Sequence, residues 1–288
     1  MPELPEVGIL KEELRREVVG RRVEVVGVFV KKEGEFPVAQ LREAVEGRAI
    51  VEVRRRGKMQ VLHFEGGHSL VIHLMMVGQL LLSPPFTGEP HDICLRLKFA
   101  DGARLTLGQV GLKYVHLLST AEVDNWPPVV KLTADPLDDS FTVDLLRRLL
   151  AKKRGAIKAT LMDQSAIAGL GNVYADEILF RARLYPQRRA SDLSEEEVER
   201  FHPGIVAELQ RGLELGGSSE MAFLHLDGSE GSYQEIFQVK GRKGEPCFVC
   251  ATPIERVEVG GRGTYFCPRC QVSYQSSSSS DCSQSPSS

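Results

Sequence analysis

The hydrophobic positions of the chain change period twice, and each change predicts a different kind of structure. Over residues 5–18, Val7, Leu10, Leu14 and Val18 recur at helical spacing. Pro5 suits a first helical turn and Gly20 lies just past the end, so the spacing predicts a helix there. From about 22 to 120 the texture becomes short β-type runs separated by Gly and Pro, at 22–30, 49–54, 59–64, 69–74, 78–82 and 93–99. In the last run Ile93, Leu95, Leu97 and Phe99 alternate with Cys94, Arg96 and Lys98, the pattern of a half-buried strand. The runs predict a β-sandwich with the first helix packed against it. Trp126-Pro127-Pro128 and Asp135-Pro136 then interrupt the chain. Helical periods return near 142–153, 158–164, 172–182 and 194–214, the last stopped by two glycines after Leu215. No internal repeat is visible. Residues 276–288 are Ser-rich, cannot bury a core, and are expected to be disordered.

Composition adds limits. The 288 residues are 42% hydrophobic and 26% charged, an ordinary globular balance with enough chain for two modest cores. No apolar run approaches a bilayer-spanning length, and Met1 to Val7 has neither a basic region nor an apolar stretch of the secretory kind. A cytoplasmic, nucleoid-associated location is expected. The net charge of −3 argues mildly against a nucleic-acid binder, but binding depends on where charge sits. Arg54, Arg55, Arg56 and Lys58 form one basic knot. Arg147, Arg148, Lys152, Lys153, Arg154 and Lys158 form another with no acid between them, while acids gather at Glu195, Glu196, Glu197 and Glu199. Either knot reads equally as a solvated face or as a binding surface.

Two pairs, Cys247-x-x-Cys250 and Cys267-x-x-Cys270, flank a strand-like loop. In a chain without a secretory signal this spacing predicts one tetrahedral Zn2+, and a reducing compartment disfavours disulfides. Four thiolates leave no open position for water, so the ion is structural. Between the pairs lies Gly260-Gly261-Arg262-Gly263-Thr264. It is either a plain hairpin turn or a site where backbone approaches a phosphate and Arg262 forks its oxygens. Cys94 and Cys282 are left over, one a strand residue and the other in the tail.

The N-terminus carries candidate chemistry. Methionine before proline is normally trimmed, which would leave Pro2 with a free secondary amine. An α-amino group titrates near about 8, well below the roughly 10.4 of lysine, so it is available for attack on an aldehyde-level carbon. Glu3 beside it could shuttle protons, and the positive end of the first helix lies close by. The same residues are equally an ordinary acidic helix start.

Together these segments resemble the formamidopyrimidine-DNA glycosylase and endonuclease VIII family, closest to its formamidopyrimidine branch. Met1-Pro2-Glu3-Leu4-Pro5-Glu6-Val7 is similar to the family's opening motif, and Arg56-Gly57-Lys58 to the motif carrying its lysine. Residues 157–164 and 169–177 resemble its helix–two-turn–helix signature, and Gly261–Thr264 with Cys267–Gln271 its zinc-finger end. The resemblance spans residues 1 to about 272. It implies an α+β protein in which 1–130 form a catalytic β-sandwich domain with a flanking helix. Residues 131–225 would then form the helix–two-turn–helix domain, 226–275 a lesion-capping loop and four-cysteine zinc finger, and 276–288 the tail. It implies a bifunctional glycosylase and abasic-site lyase acting, as a monomer, on double-stranded DNA with oxidised bases or abasic sites. Pro2 would attack C1′, Glu3 would protonate the opening sugar, and elimination of the 3′ and 5′ phosphates would follow. Glu6 would help hold the site. Lys58, Asn172 and Arg262 would grip phosphates, with Lys158 and His91 as further DNA contacts and Met76 as a wedge into the vacated stack. Gly-x-Gly-Asn172 before a helix independently offers an N-cap with free amides, an anion site. The basic knots would then line a groove between the domains.

The chain also departs from the family pattern. The loop that usually supplies an Arg–Phe pair reads Leu107-Gly108-Gln109-Val110-Gly111-Leu112, leaving Gln109 or Leu112 as substitutes. Gly8 replaces a usual glutamate, and Lys240 stands where tyrosine is common. Residues 216–233 resemble the loop that caps oxidised purines. Other readings remain open: a preference for oxidised pyrimidines, suggested by the missing pair; a non-catalytic damage-binding protein; and a zinc-ribbon module of a transcription or translation factor. Pro2-Glu3 argues against the last two.

Overall fold

The computed structural model describes residues 1–29 and 37–272. The expected tail, Cys282 and Val30 at the end of the first β run lie outside the described residues. Helix α1 (Leu4–Val18) is followed by β1 (Val23–Val28), α2 (Val38–Val45), β2 (Ile50–Arg56), β3 (Met59–Phe64), β4 (His68–His73), β5 (Gln79–Ser83), β6 (Ile93–Phe99), β7 (Arg104–Gly108) and β8 (Val115–Ser119). These strands form two antiparallel four-stranded sheets, ordered β1-β6-β7-β5 and β2-β3-β4-β8. Val26, Leu97, Phe99 and Leu105 of one sheet and Ile50, Leu62, Phe64 and Leu70 of the other share a buried core, which is the expected sandwich. Helix α2 and strands β7 and β8 add to the runs foreseen. Leu105, Thr106, Leu107 and Gly108 of β7 are all buried, although Leu105 and Leu107 alternate with Arg104 and Thr106 in sequence.

The second lobe is helical. A short turn of helix, α3 (Pro127–Val130), leads to α4 (Val143–Ala151), α5 (Ile157–Met162), α6 (Asn172–Arg181) and α7 (Glu195–Glu214). Helices α4–α7 surround a separate core that includes Leu146, Leu161, Ile178 and Phe201. A hairpin of β9 (Glu255–Val259) and β10 (Arg262–Phe266) is the last element among the described residues. Helix α1 joins the lobes: Leu10, Leu14 and Val18 belong to the sandwich core, whereas Leu4 belongs to the helical core. The N-terminal residues are therefore fixed at the junction of both.

Candidate active site at the junction of the lobes

The site begins with how α1 starts. Glu6 accepts a hydrogen bond from the Glu3 backbone N–H at 2.7 Å and caps the first turn, with Pro5 in that turn where its missing N–H costs nothing. Leu4 N–H donates to the Gly169 carbonyl at 2.9 Å, which ties the start of α1 to the loop before α6. Gly169 sits at φ +86°, and a Cβ there would lie 2.4 Å from Leu4, so only glycine fits.

This anchoring aims Glu3 at the N-terminus of α6. Its buried carboxylate accepts from Gly171 N–H at 2.8 Å, Val173 N–H at 2.9 Å and Tyr174 N–H at 3.3 Å. The α6 end is thus an anion site, as Gly-x-Gly-Asn implied, but the anion it holds is the chain's own Glu3. The N-cap is Gly171 and Asn172 is the first helical residue. Asn172 Oδ1 is buried without a hydrogen-bond partner.

Three further groups meet here. Glu6 is buried and its Oε1 accepts from Tyr174 Oη–H at 2.8 Å and Ser218 N–H at 2.9 Å. Burial, with the charge of Glu3, raises its pKa against those hydrogen bonds. Lys58 stands at the β2–β3 turn, and a Cβ on Gly171 would lie 2.8 Å from its Nζ. Burial lowers the Lys58 pKa, opposed by Glu3 and Glu6, and the charge of Arg262 lowers it further. Arg262 itself is exposed at the start of β10. Pro2 is buried beside Glu3, and burial lowers the pKa of the Met1 amine against the charges of Glu3 and Glu6. The resulting pocket is walled by Glu3, Glu6, Tyr174 and Val173 and roofed by Ser218, Met221 and Phe223.

The remaining candidates lie elsewhere. Met76 is exposed after a turn in which Met75 has φ +54° and donates its N–H to His73 Nδ1 at 2.9 Å. His91 is exposed, and its carbonyl accepts from Gln109 N–H at 3.2 Å. Leu112 is buried in the sandwich core, whereas Gln109 is half-buried with φ +56°.

Lys158, expected as a DNA contact, lies in the interior. It is fully buried, pairs with Asp176 at 2.7 Å, and donates to Thr264 Oγ1 at 2.8 Å and the Gly263 carbonyl at 3.1 Å. Its ammonium clamps α5, α6 and β10 together. The basic knots are also largely neutralised: Arg54 pairs with Glu52, Arg55 with Asp135, Arg56 with Asp124, Arg147 with Glu195 and Lys153 with Asp163. Exposed Arg148, Lys152 and Arg154 make no ion pair among the described residues.

Tyr174 and Asp176 were not among the sequence candidates. The signal was available for Asp176: with Glu177 it puts two adjacent acids into a helix otherwise rich in apolar residues, and both are buried. For Tyr174, which stacks on Tyr233 with centroids 4.7 Å apart, the sequence held no separate sign.

The four expected cysteines do converge. The sulfurs of Cys247, Cys250, Cys267 and Cys270 all lie within 4.8 Å of one another, with Cys247–Cys270 at 3.9 Å and Cys250–Cys267 at 3.4 Å. Sulfurs about 2.3 Å from a central zinc would stand roughly 3.8 Å apart in a tetrahedron, so the donor set fits. The β9–β10 hairpin that carries Arg262 rises from this cluster.

Three family models match in the same order as these units. They are the formamidopyrimidine-DNA glycosylase N-terminal domain over residues 1–110, its H2TH domain over 132–223, and a zinc finger found in FPG and IleRS over 244–272. Among similar curated proteins, a formamidopyrimidine-DNA glycosylase of Halalkalibacterium halodurans is 39% identical, covering 94% of this chain and all of its own. One of Symbiobacterium thermophilum is also 39% identical, covering 94% and 89%. A solved complex between the Lactococcus lactis Fpg and DNA containing an abasic site superposes with a TM-score of 0.83 at 32% identity, covering 93% and 99%. The MutM (Fpg) protein of Thermus thermophilus gives 0.81 at 36%, covering 94% and 98%. No described helix is long and apolar enough to cross a membrane. With the sandwich, the helical lobe and the four-cysteine hairpin each matched in turn, the chain belongs to the formamidopyrimidine-DNA glycosylase family of base-excision repair enzymes.

Proposed function

We propose that the protein is a bifunctional DNA glycosylase and abasic-site lyase that removes oxidised purines, including ring-opened ones, through Pro2. The observation that carries this reading is the Glu3 carboxylate, fixed by three α6 amides next to Pro2 and Lys58. After loss of Met1, the Pro2 nitrogen would attack C1′ of a nucleotide turned out of the helix, and the glycosidic electron pair would leave with the base. The Glu3 carboxylate would take up the proton released by the Pro2 nitrogen and deliver it to the ring oxygen as the sugar opens to an iminium. The iminium acidifies C2′, so loss of a proton there breaks the C3′–O bond, and a second elimination releases the 5′ phosphate. Lys58, Asn172 and Arg262 would hold the flanking phosphates. One Zn2+ on Cys247, Cys250, Cys267 and Cys270 would hold the hairpin that presents Arg262.

Preference for oxidised pyrimidines is the second reading, favoured by the loop Leu107–Leu112, which holds neither Arg nor Phe where family members usually have such a pair. Borohydride trapping on duplexes carrying 8-oxoguanine, a ring-opened purine, an oxidised pyrimidine or an abasic site tests both. A covalent adduct strongest on the purine lesions and lost in Pro2→Gly is expected. Tight binding to the abasic duplex with no adduct on any would leave a non-catalytic binder.

A further inference from the structure

Residues 216–226 roof the pocket; Phe223 and Leu226 anchor the segment in the sandwich core, and a polar contact outside the pocket adds to that anchoring. The segment leaves α7 through Gly216 and Gly217, at φ +71° and +78°, and Ser218 N–H then bonds Glu6 on the pocket floor. At its far end His225 lies between two oxygen acceptors: Nδ1 is 2.6 Å from Glu13 Oε1 on α1, and Nε2 is 3.0 Å from the Gly216 carbonyl. Both partners are acceptors, so either ring nitrogen that carries a proton donates to one of them. The other Glu13 oxygen accepts from Leu226 N–H at 3.0 Å, so one carboxylate grips both the His225 side chain and the next amide. Both side chains are about five-sixths buried, at 16% and 17% exposure, which shields the pair from solvent screening. The contact closes the segment into a loop, because His225 bonds back to the glycine hinge from which the segment departs.

We propose that His225, clasped between Glu13 and Gly216, is a positioning residue that fixes the roof over the Glu3–Glu6 pocket and so sets the rate at which a base held there is excised. The inference rests on the glycosylase reading and deepens it. His225 touches neither Glu3 nor Pro2, so it acts through the geometry of Ser218, Met221 and Phe223. An abasic site brings no base to be covered, and its cleavage does not depend on the roof.

The test compares excision from an oxidised-purine duplex with strand cleavage at an abasic site, in the full chain and in His225→Ala and Glu13→Gln. Amide exchange of Leu226 and Tyr233 is followed in parallel. Excision is expected to fall about tenfold in His225→Ala, the scale of one hydrogen bond, and less in Glu13→Gln. Abasic-site cleavage should stay within about twofold, which also reports that the variants are folded. Unchanged excision, or an equal fall in both activities, overturns the proposal. If the unaltered protein acts on neither duplex, the glycosylase reading fails and the rate claim with it. Exchange at Leu226 and Tyr233, faster in His225→Ala if the clasp holds the roof and unchanged if it does not, then decides the clasp alone.

Discussion

Glu3 and Gly171 lie 168 residues apart in sequence and 2.8 Å apart in space, the glycine N–H donating to the carboxylate. A side chain at position 171 has nowhere to go: its Cβ would stand 2.4 Å from Glu3 Oε1 and 2.8 Å from Lys58 Nζ. Two of the groups assigned to the chemistry are thus in register only because this position lacks a Cβ.

Gly171→Ala should therefore displace Glu3 or Lys58 while leaving both cores intact. A shift of about 1 Å at a reacting group costs on the order of a hundredfold in rate. The expected result is an excision rate lower by about that factor, with a stability loss of about 1–3 kcal/mol from overpacking. Single-turnover excision alongside urea unfolding measures both. Near-normal excision would show that Glu3 need not occupy this position.

Lys158 gives a second test, because its burial and its sequence context point in different directions. As a phosphate contact, its removal would lower the salt dependence of DNA binding by about one unit of slope and leave stability alone. As the partner of Asp176, its removal strands a buried carboxylate, which costs about 3–5 kcal/mol. Lys158→Met is expected to show the stability loss and to loosen β10 from α6, read by denaturation and by exchange of the Tyr265 amide, which bonds Asp176.

These two cases mark how far the sequence was legible. The lobes, most strands and the four cysteines followed from periodicity and spacing, which are local signals. What was not legible was partnership. Arg55 and Arg56 gave no sign of their partners Asp135 and Asp124, which are remote in the chain, whereas Glu52 lies only two residues from Arg54. Asn172 read as a cap over an open anion site because nothing local shows that Glu3 reaches it. Lys158 is a buried charge inside a basic run, and composition cannot separate it from its exposed neighbours.

The four thiolates tie the finger to the helical lobe, so removing the metal should act beyond its own hairpin. Cys267 is fully buried, and its N–H bonds Gln271, whose side chain in turn donates to the Leu184 carbonyl at 3.0 Å. Chelation or Cys267→Ser is expected to release β9–β10 and Arg262 and to weaken abasic-DNA binding by at least about tenfold. The sandwich should keep its unfolding transition. DNA affinity unaffected by chelation would remove the role assigned to Arg262.

Glu177 offers a test in pH. It is buried, and burial raises its pKa to about 7 against three hydrogen bonds from the Gln238, Val239 and Lys240 amides. A folded value above the unfolded one means that the folded state binds more protons between them. The stabilising contribution is therefore full below about 4.5 and lost as pH rises through about 7. Relative to Glu177→Gln, the protein should gain about 3 kcal/mol of stability on going from pH 8 to pH 4.5. A difference independent of pH in urea unfolding would mean that the three amides hold Glu177 ionised throughout.

Gln109 carries the last prediction, on which base is read opposite the lesion. Of residues 109–112, Val110 and Leu112 are buried and Gly111 has no side chain, so Gln109 alone can reach outward. Its Nε2 donates to Gln79 Oε1 at 2.8 Å, and Gln79 in turn donates to the Ala222 carbonyl at 3.2 Å in the pocket roof. An amide both donates and accepts, whereas a guanidinium only donates, so Gln109 can satisfy bases that an arginine rejects. One or two such hydrogen bonds discriminate by about 1–3 kcal/mol per base. Gln109→Arg is therefore expected to sharpen the preference for an acceptor-presenting base such as cytosine by about tenfold, measured as excision opposite each of the four bases. An unchanged ranking would mean that Gln109 stays with Gln79 and that the opposite base is read elsewhere, with exposed Met76 the next position to vary.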